Sequence, residues 1–434
     1  MRIPGCLAGL LVGLAPMLAW AHMDTAALQP FENRTVTSIG LTGLEHTKGY
    51  IVTRELQTIV GQPLRLDVLR ADLQRLENLA LFASASATGQ PDGEGVALTL
   101  VFKESIRGFP YPALSYTEVD GWSFGAGVTW RNLLGRNMSV SGRVLLGGAD
   151  TYAFSVADPW VAGNHAGFDV RFLHIERPDP LNDFRERSDE LAPWASAYLG
   201  TKGRVAGSVG FFQMKSDVAG KTLSPTNEDR FIRAGVRLGY DSRDSWRAPR
   251  RGWQNEVEIL RTEGDGRYWS ANLDLRRFQP VGRRKLELSG LLSLQSGEVG
   301  RDVPEYLMYR VGGTNSIRGY HLEELGREIY GKNQFLTTAE YVFTIMGLRY
   351  VNPLGRVPLR FGIEASVFAD AGTAWSRPRE FALDRFRSGV GGGFRVVGVG
   401  SGQLRFEVGW SPSGGFVGHF AAGTKVERQR RRLR

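Results

Sequence analysis

Cysteine is nearly absent from this 434-residue chain, and the one present, Cys6, lies within the first 21 residues. A disulfide framework is therefore excluded, and stability must come from a large self-sufficient fold. Histidine is sparse as well, at positions 22, 46, 165, 174, 321 and 419, with no metal-ligand spacing. No Gly-x-Ser-x-Gly elbow, phosphate loop or dinucleotide fingerprint occurs, which argues against bond-breaking catalysis and against any cofactor. After residue 21 no apolar run is long enough for a membrane-spanning helix. Residues 1–21 themselves carry Arg2, an apolar run from Leu7 to Leu18, and Ala19-Trp20-Ala21, the pattern of a secretory signal peptide. Too little apolar chain precedes Cys6 for a lipoprotein site, so that cysteine reads as incidental. An exported chain without such a helix is either soluble or a membrane β-barrel. The net charge of +9 comes partly from Lys425 and a basic tail, 426–434, with five arginines from Arg428 to Arg434. Nucleic acid is no natural partner for an exported protein. Outer-membrane lipids, with anionic headgroups at the tail, suit it better.

Residues 35–104 read as one small α+β domain. Thr35–Thr42 alternates as a short strand. A helix is expected from about Thr47, with Ile51, Val52, Leu56, Ile59 and Val60 on one face, stopped by Gly61 and Pro63. Asp67 is placed to cap a second helix, whose Leu69, Leu73, Leu76 and Leu79 recur at helical spacing. Strands over Phe82–Thr88 and Val96–Lys103 complete the unit around a turn at Pro91-Asp92-Gly93-Glu94-Gly95.

Over residues 110–425 the helical period is lost. Segments of about ten residues alternate apolar and polar, separated by Gly, Asp, Asn and Pro. Leu359, Phe361, Ile363, Ala365 and Val367 alternate with Arg360, Gly362, Glu364, Ser366 and Phe368. Trp269, Ala271, Leu273 and Leu275 alternate likewise with Ser270, Asn272, Asp274 and Arg276. Leu286, Leu288, Leu292 and Leu294 lie opposite Lys285, Glu287, Ser289 and Ser293. A soluble sandwich would alternate too, but so many strands would need a very large core. Charges at successive polar positions, such as Arg360 and Glu364, favour a closed barrel with its apolar phase toward lipid. The expected fold is a transmembrane antiparallel β-barrel of about 16 strands behind one N-terminal α+β domain. An even count puts both barrel ends on the periplasmic side. Trp122, Trp130, Trp160, Trp194 and Trp253 read as interfacial belt residues.

Roughly 37 residues separate Gly297 from Asn333, between the eleventh and twelfth strands on the outer side, far beyond hairpin length. This gap contains Gly312-Gly313-Thr314-Asn315-Ser316-Ile317-Arg318-Gly319-Tyr320. The paired glycines permit a sharp reversal, and Gly319 permits close packing beside Arg318. Glu340 and Asp370 fall on the polar phase of their strands. The stretch is either a glycine-rich hairpin with a solvated arginine or a loop docked in the lumen through Arg318, Asp370 and Glu340.

Closing a barrel pairs its first strand with its last. Here the first opens with Pro110 and Pro112, each lacking a backbone donor, and runs on to Tyr116. The last contains Gly414, Gly415, Gly418 and Gly423, around Phe416 and Phe420. Either the seam is weak, or the glycines relieve crowding in the wall, as at Gly125 and Gly127.

This layout resembles the BamA/TamA superfamily of outer-membrane assembly factors and the related two-partner secretion transporters, over nearly the whole chain after residue 21. Residues 35–104 look like one POTRA domain, including Gly61, Leu81-Phe82 and Phe102-Lys103-Glu104. Ser316-Ile317-Arg318-Gly319-Tyr320, with Gly313 before it, resembles the family's signature in the sixth extracellular loop. Phe368-Ala369-Asp370-Ala371-Gly372 resembles its companion strand motif, and Asp241-Ser242-Arg243-Asp244 with Arg251-Gly252-Trp253 a family turn. The single POTRA-like unit and the basic tail, in place of a terminal aromatic residue, depart from the pattern. The resemblance implies that the strand with Phe82, Ser84 and Ser86 is an edge free to pair with clients. It also implies that the barrel assists insertion or translocation of unfolded outer-membrane or secreted proteins, by strand augmentation at the seam. A secretion pore dedicated to one partner protein, and a passive channel or surface antigen, are the alternatives.

Overall fold

A computed structural model describes residues 25–117, 120–162, 165–179, 183–246, 248–351, 359–399 and 402–422. The signal-like segment with Cys6, Gly423, Lys425 and the basic tail lie outside the described residues, as does the side chain of Arg360.

The N-terminal unit contains strands β1 (Val36–Thr42), β2 (Phe82–Asp92) and β3 (Gly95–Glu104), and helices α1 (Gly49–Thr53) and α2 (Leu66–Asn78). β3 is central, parallel to β1 and antiparallel to β2. Ile51, Val52, Leu69, Leu73, Leu76, Phe82, Leu98 and Leu100 form its buried core. Each contributes about 1.5–3 kcal/mol.

Two local expectations fail here. The first helix is only five residues long, and Ile59 and Val60 are 55% and 51% exposed rather than on a buried face. The buried Asp72 carboxylate accepts the backbone N–H groups of Gln57 (3.0 Å) and Thr58 (2.9 Å), holding that segment out of the helix. Asp67 does not cap α2 either. It lies in the first turn, exposed and paired with Arg65, while Glu32 accepts the Leu66 N–H at 3.2 Å from 34 residues upstream.

The barrel sheet has 16 strands, each antiparallel to the next. The first eight are β4 (Gly108–Thr117), β5 (Gly121–Leu133), β6 (Met138–Gly147), β7 (Asp150–Ala162), β8 (Ala166–Asp179), β9 (Phe184–Leu199), β10 (Gly203–Ser216) and β11 (Glu228–Asp241). Next come β12 (Gly252–Gly264), β13 (Tyr268–Val281) and β14 (Arg284–Gln295). A long loop follows, holding the two-residue strands β15 (Tyr309–Arg310) and β16 (Tyr330–Gly331) and helix α3 (Leu322–Glu328). The wall resumes with β17 (Asn333–Val351), β18 (Leu359–Trp375), β19 (Arg387–Val399), β20 (Gly402–Ser411) and β21 (Gly415–Ala422). Along β18, Glu364, Ser366, Phe368 and Asp370 are buried toward the lumen while Val367 is exposed. The same alternation leaves Phe124, Val236, Ile259, Trp269 and Phe406 exposed on the outer wall. That is the reverse of a soluble core and the pattern of a barrel solvated by lipid. Trp122, Trp130 and Trp253 are exposed there, as belt residues are. Trp194 is not: it is buried, with the Arg237 guanidinium 4.0 Å from its ring. Trp160 instead meets the N-terminal unit.

That unit docks on the turns at one end of the barrel. Lys48 N–H donates to Gly135 O (3.1 Å), Asn132 Nδ2 to Thr47 Oγ1 (2.8 Å), and Trp246 N–H to Asn78 Oδ1 (3.3 Å). The Arg54 guanidinium lies 4.1 Å from the Trp160 ring, and His165 Nε2 lies 3.8 Å from Glu55 Oε1. Burial at this junction pushes the Glu55 carboxyl up from its ordinary range, against the pull of Arg54 and Arg75. It pushes His165 down, with help from Arg54.

Candidate functional site

The long loop from β14 to β17 turns into the lumen. Its own apolar core includes Val311, Ile317, Tyr320, Leu325 and Ile329, packed against Leu291 and Leu336 of the wall. A tight turn fixes its tip: Gly313 N–H donates to Tyr320 O (2.9 Å), Ser316 N–H to Gly313 O (3.1 Å), and Gly312 N–H to Ser316 Oγ (3.2 Å). Gly319 has φ +95°, and a Cβ there would stand 2.7 Å from the Trp410 carbonyl carbon of β20. The wall yields space in return. A Cβ at Gly389 would lie 1.9 Å from Arg318 O, and one at Gly409 would lie 2.3 Å from Gly319 N. Only glycine fits on both sides of this contact.

Arg318 is fully buried at the tip. Its Nε and Nη2 donate to Asp370 Oδ2 and Oδ1 at 2.8 and 2.9 Å, and its backbone N–H adds a third bond to Oδ2 at 3.1 Å. Nη2 also lies 2.7 Å from Glu340 Oε1, and Nη1 donates to Glu407 Oε1 at 2.7 Å. Phe368 stacks beneath the guanidinium, 3.3 Å from its central carbon, while Gly372 lets β18 close on β17, since a Cβ there would stand 2.6 Å from Phe335 O. A planar fork meeting three carboxylates and a ring face is a task for arginine rather than lysine.

Strand register extends this into a network. Glu287 of β14 stands directly opposite Glu340 of β17, and Glu364 of β18 opposite Arg395 of β19. Facing glutamates repel unless a cation bridges them. Arg395 does so, with Nη2 to Glu287 Oε1 at 2.7 Å, Nη1 to Glu340 Oε2 at 3.1 Å, and Nε to Glu364 Oε2 at 2.8 Å. Lys285 Nζ joins Glu287 (2.9 Å), Glu364 (3.0 Å) and the carbonyl of Pro249 (3.1 Å). Arg405 reaches Glu407 (3.3 Å) and, on the loop, Asn315 Oδ1 (3.1 Å). Four cations thus interleave with five carboxylates between the loop and five wall strands.

Glu407, Arg395, Arg405, Glu287 and Lys285 were not singled out as site residues by sequence. Their signal was present, as charges on the inward phase of lipid-facing strands. His419 of β21 was also missed. Its Nε2 accepts the Gly319 N–H (3.0 Å) and its Nδ1 lies 3.2 Å from Thr314 Oγ1, so the last strand grips the loop tip.

The two ends of the sheet behave differently from the rest. Among the described residues no ladder joins β4 to β21. The contacts there are aromatic: Phe420 lies 6.3 Å from Tyr116 and 5.9 Å from Trp122, between ring centroids. Phe416 stays 79% exposed. Arg131 N–H donates to Arg107 O (2.5 Å), which sets the phase of β4: odd residues bond β5 and even residues face the seam. Pro110 and Pro112 are even, so they remove two donors from the seam edge and none from the β4–β5 ladder. Pro110→Val with Pro112→Val should therefore raise the barrel's melting temperature and reduce cross-linking of strands added at the seam. Unchanged melting and cross-linking would show that the prolines do not weaken it.

The glycines of the last strand divide between the two sequence readings. A Cβ at Gly414 would strike Gly319 O at 2.3 Å, so that residue makes room for the loop, whereas Gly418 faces open space. Gly415 takes φ +66° at the turn into β21. Gly125 relieves crowding against Val144 O (1.9 Å), and Gly127 against Tyr111 (2.4 Å).

In the N-terminal sheet β2 is an outer strand. Ser86 is exposed and Ser84 half-buried, but the Phe82 ring belongs to the core, 4.6 Å from Phe102. The opposite edge, β1, is partly covered, since Val36 N–H donates to Gln62 O (2.9 Å) and Val36 O accepts the Gly61 N–H (2.8 Å).

Comparison with known proteins agrees with this architecture. Residues 132–416 match the model of the Omp85 superfamily domain. The chain is 24% identical over 401 residues to the outer membrane protein assembly factor BamA of Neisseria meningitidis serogroup B, covering 80% of this chain and 47% of that protein. It thus spans about half the length of that relative. BamA from Haemophilus ducreyi lacking POTRA domains 1–3 superposes with a TM-score of 0.58 at 16% identity, over 90% of this chain and 84% of that one. CdiB from Acinetobacter baumannii superposes with a TM-score of 0.54 at 14% identity, over 90% and 74%. A 16-strand barrel of this register, with an arginine-tipped loop in its lumen and a family match over most of the wall, assigns the chain: it belongs to the Omp85 superfamily.

Proposed function

We propose that the protein sits in a bacterial outer membrane and assists insertion or translocation of unfolded outer-membrane or secreted proteins through the β4–β21 seam. The observation that carries this reading is the seam itself, unladdered and depleted of donors on its β4 side. An unfilled sheet edge within an otherwise closed wall is a template for an incoming strand. The even strand number supports a periplasmic N-terminal unit and C-terminus, at the end where that unit meets the barrel turns. Residues 35–104 act as a POTRA-like client-binding module, with β2 as the strand that accepts extended segments. A loop docked in the lumen through buried ion pairs speaks against a passive channel. Resemblance to CdiB keeps one dedicated secreted partner as the second reading.

Proteome profiling of outer membranes after deletion separates these readings. Loss of many barrel proteins is the result expected, loss of one secreted protein supports the dedicated pore, and no change overturns both. A chain lacking residues 35–104 should still give a heat-modifiable barrel but fail to restore client levels, and the segment alone should unfold cooperatively. Full complementation by the truncated chain would remove the module from the function.

A further inference from the structure

The loop between β18 and β19 combines exposed apolar residues with four arginines, of which Arg387 donates through Nη1 to the carbonyls of Asp384 (2.8 Å) and Phe386 (3.3 Å). Residues 376–386 form two single-turn 3-10 helices, Pro378–Glu380 and Leu383–Arg385, and strand order places them at the end of the barrel away from the N-terminal unit. Phe381 packs 4.5 Å from Trp375 and 5.6 Å from Phe386, whose ring lies 6.3 Å from Phe335. Phe335 opposes Thr373 in the register, in the phase opposite to the lumen-facing Thr338 and Asp370. The loop therefore folds over the outer wall and prolongs its lipid-facing side. Yet Phe381 remains half-exposed, and Leu383 is 89% exposed.

Arg377, Arg379, Arg385 and Arg387 flank these two residues in the sequence of the loop. Among the described residues no ion pair joins Glu380 or Asp384 to any of the four, although Glu380 feels the charges of Arg385 and Arg377 from a greater distance. Glu380 instead accepts the backbone N–H groups of Ser376 (2.8 Å) and Arg377 (3.2 Å). Arg385 keeps its Nε buried without a hydrogen-bond partner. Bare leucine and phenylalanine beside such charges suit a membrane interface, with the apolar groups among acyl chains and the guanidinium groups at headgroup level. Guanidinium matches phosphate through paired N–H donors.

We propose that residues 376–387 form a pad for a phosphate-bearing anionic lipid of the outer leaflet. Phe381 and Leu383 enter the acyl region, and the four arginines meet the headgroup phosphates. The proposal rests on the orientation given under the proposed function.

Native mass spectrometry of the full-length protein, titrated with lipid A, phosphatidylcholine or inorganic phosphate, tests it. Lipid A should bind in preference to phosphatidylcholine. Arg377→Gln with Arg379→Gln should lower lipid A binding about fivefold per arginine, and the lysine pair, which keeps the charge but not the paired donors, should recover only part of the loss. Leu383→Asp should weaken both lipids. Heat-modifiable migration establishes that each variant is folded. Unchanged binding in the glutamine variant overturns the proposal. So does competition by inorganic phosphate at concentrations equal to the lipid, which would mark a soluble-anion site. A change of oligomeric state in Leu383→Asp with lipid binding intact would mark a contact between copies and overturn it too. Labelling of Arg379→Cys on intact cells by an impermeant maleimide separates the two levels. Without labelling, the assumed orientation is wrong; with labelling but no lipid preference, only the pad is wrong.

Discussion

Arg318→Ala should sharply lower the temperature at which the barrel loses its heat-modifiable form, or stop that form from accumulating. The arginine is fully buried and within 2.9 Å of oxygens from Asp370, Glu340 and Glu407. Its loss leaves three carboxylates short of a cation, and breaking a buried pair in this way costs about 3–5 kcal/mol. Arg395 is already committed to Glu287, Glu340 and Glu364, and Arg405 to Glu407, so neither can fill the gap without abandoning partners. Arg318→Lys should recover only part of the loss, because one ammonium cannot reproduce the bidentate contact with Asp370 while reaching Glu407. A double-mutant cycle with Glu407→Gln should show strong coupling, since β20 and the loop share this contact. If Arg318→Ala melts with wild type, the loop is held by its apolar core alone and the charge network is incidental to assembly.

Locking the seam should abolish client handling while leaving the barrel folded. Tyr116 and Phe420 face one another across the gap with ring centroids 6.3 Å apart, and the sequence has only one native thiol, Cys6. Tyr116→Cys with Phe420→Cys, joined by oxidation or by a short bis-maleimide, ties β4 to β21. Under the augmentation mechanism the joined form loses insertion or secretion, and reduction of the disulfide form restores it. The uncross-linked double variant controls for loss of the aromatic contacts. Undiminished client assembly by the joined protein would rule out passage through this seam. His419 adds a second handle, because it holds the Gly319 turn from the seam strand. A seam that opens must either carry the loop tip with it or release that bond.

Strand rhythm was legible in the sequence because lipid outside and a polar lumen inside impose a period of two on every strand. That is why the strand number, the long loop and the inward Asp370 and Glu340 could be read from residue order alone. The same rhythm misled at Trp194, where alternation cannot tell a belt tryptophan from one stacked on an inward arginine. It also could not divide the glycines, since Gly414 and Gly418 look alike until one is found against Gly319 O and the other against open space.

Local pattern failed where a distant partner supplied the decisive hydrogen bond, as Asp72 did for Thr58 and Glu32 for Leu66. The sequence by itself determined a small α+β unit and a large alternating barrel with an arginine-tipped loop. Only the tertiary structure decided which charges meet. Glu287 faces Glu340 because of inter-strand register, and Arg395 and Glu407 reach the same cluster because the wall curves around the loop. Register and closure arise from the packing of whole strands, and no local stretch of residues encodes them.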